Sequence, residues 1–173
     1  MKRHIVLAGK KNAGKTTTVN RLLEHTDKKV FGYFTEPGKQ MRYGYRSYFM
    51  RPAWLTECAN SEDNHIGDGN GISHFFYPET FDSFGVNCLE ATSDGLIVMD
   101  ELGFMELDAK AFCDKVLECF DGDIPVLATA KAGHDVDFLN NVLNHPNAEV
   151  FFIYEENRDE IYEKILNEWD GLR

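Results

Sequence analysis

His4-Ile5-Val6-Leu7-Ala8 runs straight into Gly9-Lys10-Lys11-Asn12-Ala13-Gly14-Lys15-Thr16, and the reading of that stretch decides the fold. The first five residues are continuous, apolar and short, as in a strand buried on both faces. The next eight fit G-x-x-x-x-G-K-[ST] without a mismatch. Glycines let the backbone curl so that amides point inward, toward phosphate oxygens. A helix opening at Lys15 adds its positive N-terminal end. Lys15 would then reach the β and γ phosphates, and the Thr16 hydroxyl would ligate Mg²⁺. The candidate nucleotide-binding residues are therefore Gly9, Asn12, Ala13, Gly14, Lys15, Thr16 and Thr17. A plain glycine turn with surface lysines needs neither the strand before it nor the helix after it.

A second apolar run, Leu96-Ile97-Val98-Met99, ends in Asp100-Glu101. A phosphate loop needs an acid at such a strand end to hold Mg²⁺, usually through water, and Asp100 fits. A second acid one residue on can face the γ-phosphate and polarise a water, which assigns Glu101 as general base. Alone, an apolar run followed by two acids is as well explained by an exposed strand end. Beside the phosphate loop it points to hydrolysis.

Working outward, the periodicity predicts a helix over Lys15–His25, with Val19, Leu22 and Leu23 on one face. Strands are expected over Lys29–Thr35, Gly95–Met99, Pro125–Ala130 and Glu149–Tyr154, and a hairpin strand over Met41–Met50. Helices are expected over Glu79–Ala91, Ala109–Phe120, Val136–Leu143 and Arg158–Trp169. Strands alternating with helices predict an α/β layered domain with a mostly parallel sheet, which places ligands at the carboxyl ends of its strands. The chain reads as one domain over 1–173. Segment 51–73 loses all periodicity and is expected to be a mobile loop or lid. Within it, Gly67-Asp68-Gly69-Asn70-Gly71 resembles part of a calcium loop but lacks the first and last acids, so it reads as a flexible turn.

The composition fits one globular core: 173 residues, 43% hydrophobic and 27% charged. A formal net charge of -11 makes general binding of nucleic acid or an anionic membrane unfavourable, so an anion must be held by a local, shaped site. Cys58, Cys88, Cys113 and Cys119 form no CxxC pair and have no zinc-finger histidine, which suits free thiols in a reducing cytoplasm. The apolar run at the start is too short for a signal-peptide core, and no stretch has the length of a membrane span.

Four segments carry a family resemblance: HIVLAGKKNAGKTT, FGYFTEP, VMDELGFMEL and YEENRDEI, with weaker echoes in MRYGYRSY and YPETFDSF. Together they resemble the small P-loop nucleoside-triphosphatases of archaea, bacteria and animals, the cancer-related nucleoside-triphosphatase group. The resemblance implies a three-layer, RecA-like P-loop fold. It also implies Mg²⁺-dependent hydrolysis of nucleoside triphosphates, ATP and GTP among them, with broad tolerance of base. By motif match it carries roles to Gly14, Lys15, Thr16, Asp100 and Glu101, and it draws attention to Glu106, Asn157 and Arg158. Members commonly have Lys where this chain has Phe104. The cation facing the γ-phosphate must then come from elsewhere, with Arg42, Lys131 and Arg158 as candidates.

Arg158 reads either as a catalytic arginine acting in cis or as a partner of Glu155 or Asp159. Thr129 reads as a sensor of the γ-phosphate or as a plain strand end. Tyr43, Tyr45, Tyr48 and Phe49 read chiefly as an aromatic hairpin face packed on the core. Two other functions stay open. A small-molecule or nucleoside kinase would need more lid arginines than Arg51 alone. A nucleotide-binding adaptor with little turnover is compatible with Phe104.

Overall fold

The computed structural model describes residues 1–133 and 135–173. In chain order the strands are β1 (His4–Gly9), β2 (Lys29–Gln40), β3 (Arg46–Pro52), β4 (His65–Gly69), β5 (His74–Phe76), β6 (Gly95–Leu102), β7 (Val126–Lys131) and β8 (Ala148–Phe152). The helices are α1 (Lys15–Leu23), α2 (Pro78–Thr80), α3 (Val86–Cys88), α4 (Lys110–Asp121), α5 (Asp137–Leu143) and α6 (Arg158–Glu168). A π-type turn, Phe81–Gly85, joins α2 to α3.

Among the described residues one sheet forms, in the order β5-β4-β3-β2-β6-β7-β1-β8. From β2 to β8 every pairing is parallel. From β2 to β5 every pairing is antiparallel. β7 therefore separates β1, which leads into the phosphate loop, from β6, which carries the paired acids. That separation is the RecA-like arrangement, and it brings three strand ends to one edge.

The two-residue period of β1 sorts its side chains between two layers. Ile5 and Leu7 pack with Val19 and Leu22 of α1 and Ile161 and Ile165 of α6. Val6 packs on the opposite face, in the cluster that includes Phe112, Val116 and Phe120 of α4 and Leu139 of α5. Helices on both faces explain why the parallel strands read as continuous apolar runs.

The structure corrects the expected loop over 51–73. β3 continues to Pro52, a 3₁₀ turn occupies Glu62–Asn64, and β4 runs inside the segment. Gly67–Gly69 belongs to β4, and the turn lies just beyond it, where Asn70 Oδ1 accepts hydrogen bonds from the amides of Ile72 and Ser73. The helix expected over Glu79–Ala91 is broken into α2, the π-type turn and α3. β2 runs on past Thr35 to Gln40.

Candidate functional site

β6 does not run regularly into its acids. Met99 pairs with Ala128 and Leu102 with Ala130, so Asp100 and Glu101 together oppose Thr129. This is a β-bulge, a device that re-aims side chains beside active sites. Glu101 sits in the left-handed region, with φ 66°. The flanking strands hold the distortion. The Glu101 amide donates to Thr129 Oγ1 at 2.7 Å, and that hydroxyl donates to Asp100 Oδ1 at 2.9 Å. Thr35 Oγ1, on the other side, donates to the Asp100 carbonyl at 3.2 Å.

The loop between β1 and α1 needs two left-handed residues to curl. Gly14 has φ 93° and Asn12 φ 64°, residue types that tolerate this region well. The Lys15 ammonium folds back onto the loop, donating to the carbonyls of Gly9 (3.0 Å) and Lys10 (2.8 Å). The Ala13 amide donates to Lys10 O at 3.3 Å. No other amide from Lys11 to Thr16 has a carbonyl partner among the described residues.

The loop and the acids meet directly. Thr16 Oγ1 donates to Asp100 Oδ1 at 2.9 Å, across a sequence separation of 84 residues. Both ionisable groups at this junction are buried. Burial lowers the Lys15 pKa, an effect that Glu101 and Asp100 oppose. Burial raises the Asp100 pKa, opposed by its hydrogen bonds from Thr129 and Thr16. Each charge is thus costly by itself and supported by its neighbours.

Beyond β6 the chain turns back over the site. Glu106 is buried and accepts a hydrogen bond from the Gly103 amide at 2.7 Å, so its carboxyl closes this turn. Burial pushes its pKa up to about 7. Phe104, in the same turn, lies under Lys131, whose Nζ is 4.5 Å from the ring centroid.

Arg158 is on the loop's other flank, against Gly14. It pairs with neither Glu155 nor Asp159, and Asp159 instead binds Arg21 at 2.6 Å. Asn157 has a structural role. Its Oδ1 accepts from the Tyr154 amide at 2.8 Å, and its Nδ2 donates to Phe152 O at 3.0 Å, fixing the turn that presents Arg158. Arg42 lies in the hairpin connection, within the 3₁₀ turn Arg42–Gly44. The hairpin aromatics divide. Tyr48 packs on the core and Phe49 stacks on His65, but Tyr43 is 90% exposed.

Two hollows meet at the loop. One, of about 380 Å³, lies between the loop and Arg158 and is flanked by Thr17 and Glu101. The other, of about 660 Å³, extends from Thr16, Asp100 and Glu101 past Lys131 to Arg46 and Tyr48 on the antiparallel strands. Lys11, Asn12, Thr16 and Glu101 border both, so they form one continuous cleft. The loop, both acids and Thr129, all singled out in the sequence, come together here. Sequence reasoning misses Thr35, whose β-favouring residue type in a strand carries no signal.

A three-layer sheet with the phosphate loop after β1 and paired acids on β6 defines a P-loop domain of the RecA-like kind. The profile of the family described as NTPase matches residues 4–166, and the chain belongs to that family. It is 28% identical over 170 residues to the nucleoside-triphosphatase THEP1 of Methanocaldococcus jannaschii, covering 94% of this chain and 95% of that one. The crystal structure of THEP1 from Aquifex aeolicus superposes with a TM-score of 0.74 at 25% identity, covering 96% of this chain and 99% of that one. The solution structure of a human cancer-related nucleoside triphosphatase shares the fold, with a TM-score of 0.62 at 19% identity and 95% of each chain covered.

Proposed function

We propose that this chain is a Mg²⁺-dependent nucleoside-triphosphatase that converts ATP, GTP and other nucleoside triphosphates to the diphosphate and phosphate. The observation that carries the reading is the Thr16–Asp100 hydrogen bond of 2.9 Å, which unites the phosphate loop with the bulge that bears Glu101. The family membership and the THEP1 relatives support the same reading.

The donors present fit a hard cation. Thr16 Oγ1 and the Asp100 carboxylate are oxygen ligands, and Mg²⁺ commonly binds through one or two protein oxygens plus substrate phosphates and water. When bound there, Mg²⁺ would neutralise charge on the β and γ oxygens. A cation at this place would also relieve the burial that raises the Asp100 pKa.

The chain's own groups do the rest. The loop amides hold the phosphates. Lys15 Nζ exchanges the carbonyls of Gly9 and Lys10 for phosphate oxygens. Glu101 orients a water in line with the γ-phosphorus and takes its proton as the bond to the β-γ bridging oxygen breaks. Arg158, beside Gly14, offsets charge from the other flank. Amides, lysine and a cation recognise phosphate, which all nucleoside triphosphates share, and this supports broad base tolerance. Residues 1–173 act as one domain. The far wall of the cleft, at the end of β4, includes Gly69, Asn70 and Gly71.

Phosphate release from ATP, GTP, CTP and UTP, with and without Mg²⁺, tests this. Lys15→Ala and Glu101→Gln should each abolish release, and chelation of Mg²⁺ should do the same. No release by the wild type, or undiminished release by both variants, overturns it.

A further inference from the structure

We propose that Lys131 is a catalytic residue that supplies a cation to the γ-phosphate, and that the Phe104 ring holds it in place. The inference rests on the hydrolytic reading above.

Four observations carry it. Lys131 ends β7, the strand between the loop strand and the acidic strand, and it pairs in register with Gly9, the first residue of the loop motif. The two-residue period of β7 places Lys131 on the same face as Thr129, whose hydroxyl holds both acids of the bulge. Its side chain borders the same hollow as Thr16, Asp100 and Glu101. Lastly, its methylene stem lies along Gly103 and its ammonium sits over the Phe104 ring, while no carboxylate pairs with it among the described residues.

The last point is the informative one. In a chain of net charge -11, a lysine has many carboxylates available. This one is held by an aromatic face, which positions an ammonium without neutralising it. A salt bridge would hold it too, but would cancel the field that an incoming phosphate meets. The other two cations considered for this place are elsewhere. Arg158 faces the flank beside Gly14, and Arg42 lies in the hairpin turn. Arg46 borders the hollow from β3, two strands beyond β6. Phe104 thus has a role of its own in the acidic motif, as a platform for a charge carried by the neighbouring strand.

The test uses the full chain. Lys131→Met should lower kcat about 100-fold, as when one preorganised charge-stabilising donor is removed, and should raise KM for ATP about tenfold. Its preference for ATP over ADP, measured by calorimetry, should shrink about tenfold, because ADP has no γ-phosphate to touch. Adding Phe104→Lys to Lys131→Met should recover most of the rate, since a cation then enters from the other strand. An unchanged kcat in Lys131→Met overturns the proposal and leaves the hydrolytic reading standing. A reduced kcat with an unchanged ATP-over-ADP preference also overturns it, since Lys131 would then act only through its neighbours. If the wild type releases no phosphate, the hydrolytic reading fails, and the ATP-over-ADP preference alone decides for or against contact with Lys131. Should Lys131→Met not fold, Lys131→Gln is read by the same two measurements.

Discussion

β6 reads Gly-Leu-Ile-Val-Met-Asp-Glu-Leu and is buried along nearly its whole length, whereas β4 reads His-Ile-Gly-Asp-Gly and hides one large side chain, Ile66. The contrast holds across the sheet. The parallel strands are sandwiched between helices, and their polar residues collect where the strands end. The antiparallel strands expose more surface and place polar groups along their length, as in the cluster of Asp68 with Ser47, His65 and Tyr77. The parallel part carries the loop and acids proposed to hold phosphate, and the antiparallel part walls the cleft beyond them. One part is constrained by burial on two faces. The other is constrained on fewer faces and lines the outer part of the cleft.

Three changes probe that division. The largest effect is expected from Ile66→Ala, which empties a fully buried position in the antiparallel part. It should cost about 2–5 kcal/mol in urea unfolding, as for other large-to-small changes in a core. If the division is real, Mg²⁺-nucleotide affinity stays within about threefold of wild type. A much larger loss of affinity would mean that the two parts are coupled.

Glu106→Gln acts on the parallel part. The folded-state pKa of about 7 lies above the ordinary glutamate value of 4.5, so the folded chain keeps its proton where the unfolded chain has released it. The wild type therefore loses stability as pH rises from about 4.5 to 7 and levels off above that. The Gln variant keeps an acceptor for the Gly103 amide but has no proton to lose. Its melting temperature should gain on the wild type across that window, equivalent to about 3 kcal/mol at most. Parallel melting curves from pH 5 to pH 8 would refute this. His4, whose pKa burial lowers to about 4, favours folding as pH rises toward 6.5. It does so equally in both proteins and cancels from the comparison.

The smallest effect is expected from Glu101→Gly. Removing the side chain from a left-handed position should add about 1 kcal/mol of stability while eliminating phosphate release. Thermal melting and a release assay check the two halves. A destabilised variant would show that the hydrogen bonds around the bulge outweigh its strain.

The same contrast explains what the sequence revealed. Runs such as His4–Ala8 and Gly95–Met99 announce buried strands because both faces must be apolar. β4 gave no such signal, since two of its five residues are glycine. At Gly67 the reason is spatial: a Cβ there would lie 2.6 Å from the carbonyl oxygen of Phe75 on β5. A residue chosen for close approach of two backbones looks, in one dimension, like a loop. In the site, Thr16, Lys15 and Asp100 were legible because their spacing follows from phosphate and cation chemistry. The bulge was not, because glutamate does not advertise a positive φ. Lys131 was one of three candidate cations in the sequence, and the strand order places it beside Gly9.

The backbone at position 101 has a consequence for how such a chain can change over generations. A population selected only for heat tolerance would find glycine there an accessible improvement, and would gain a sturdier molecule that had lost its trade. If Glu101 is the general base proposed above, the residue at this position separates chains that keep turnover from chains that keep only the fold.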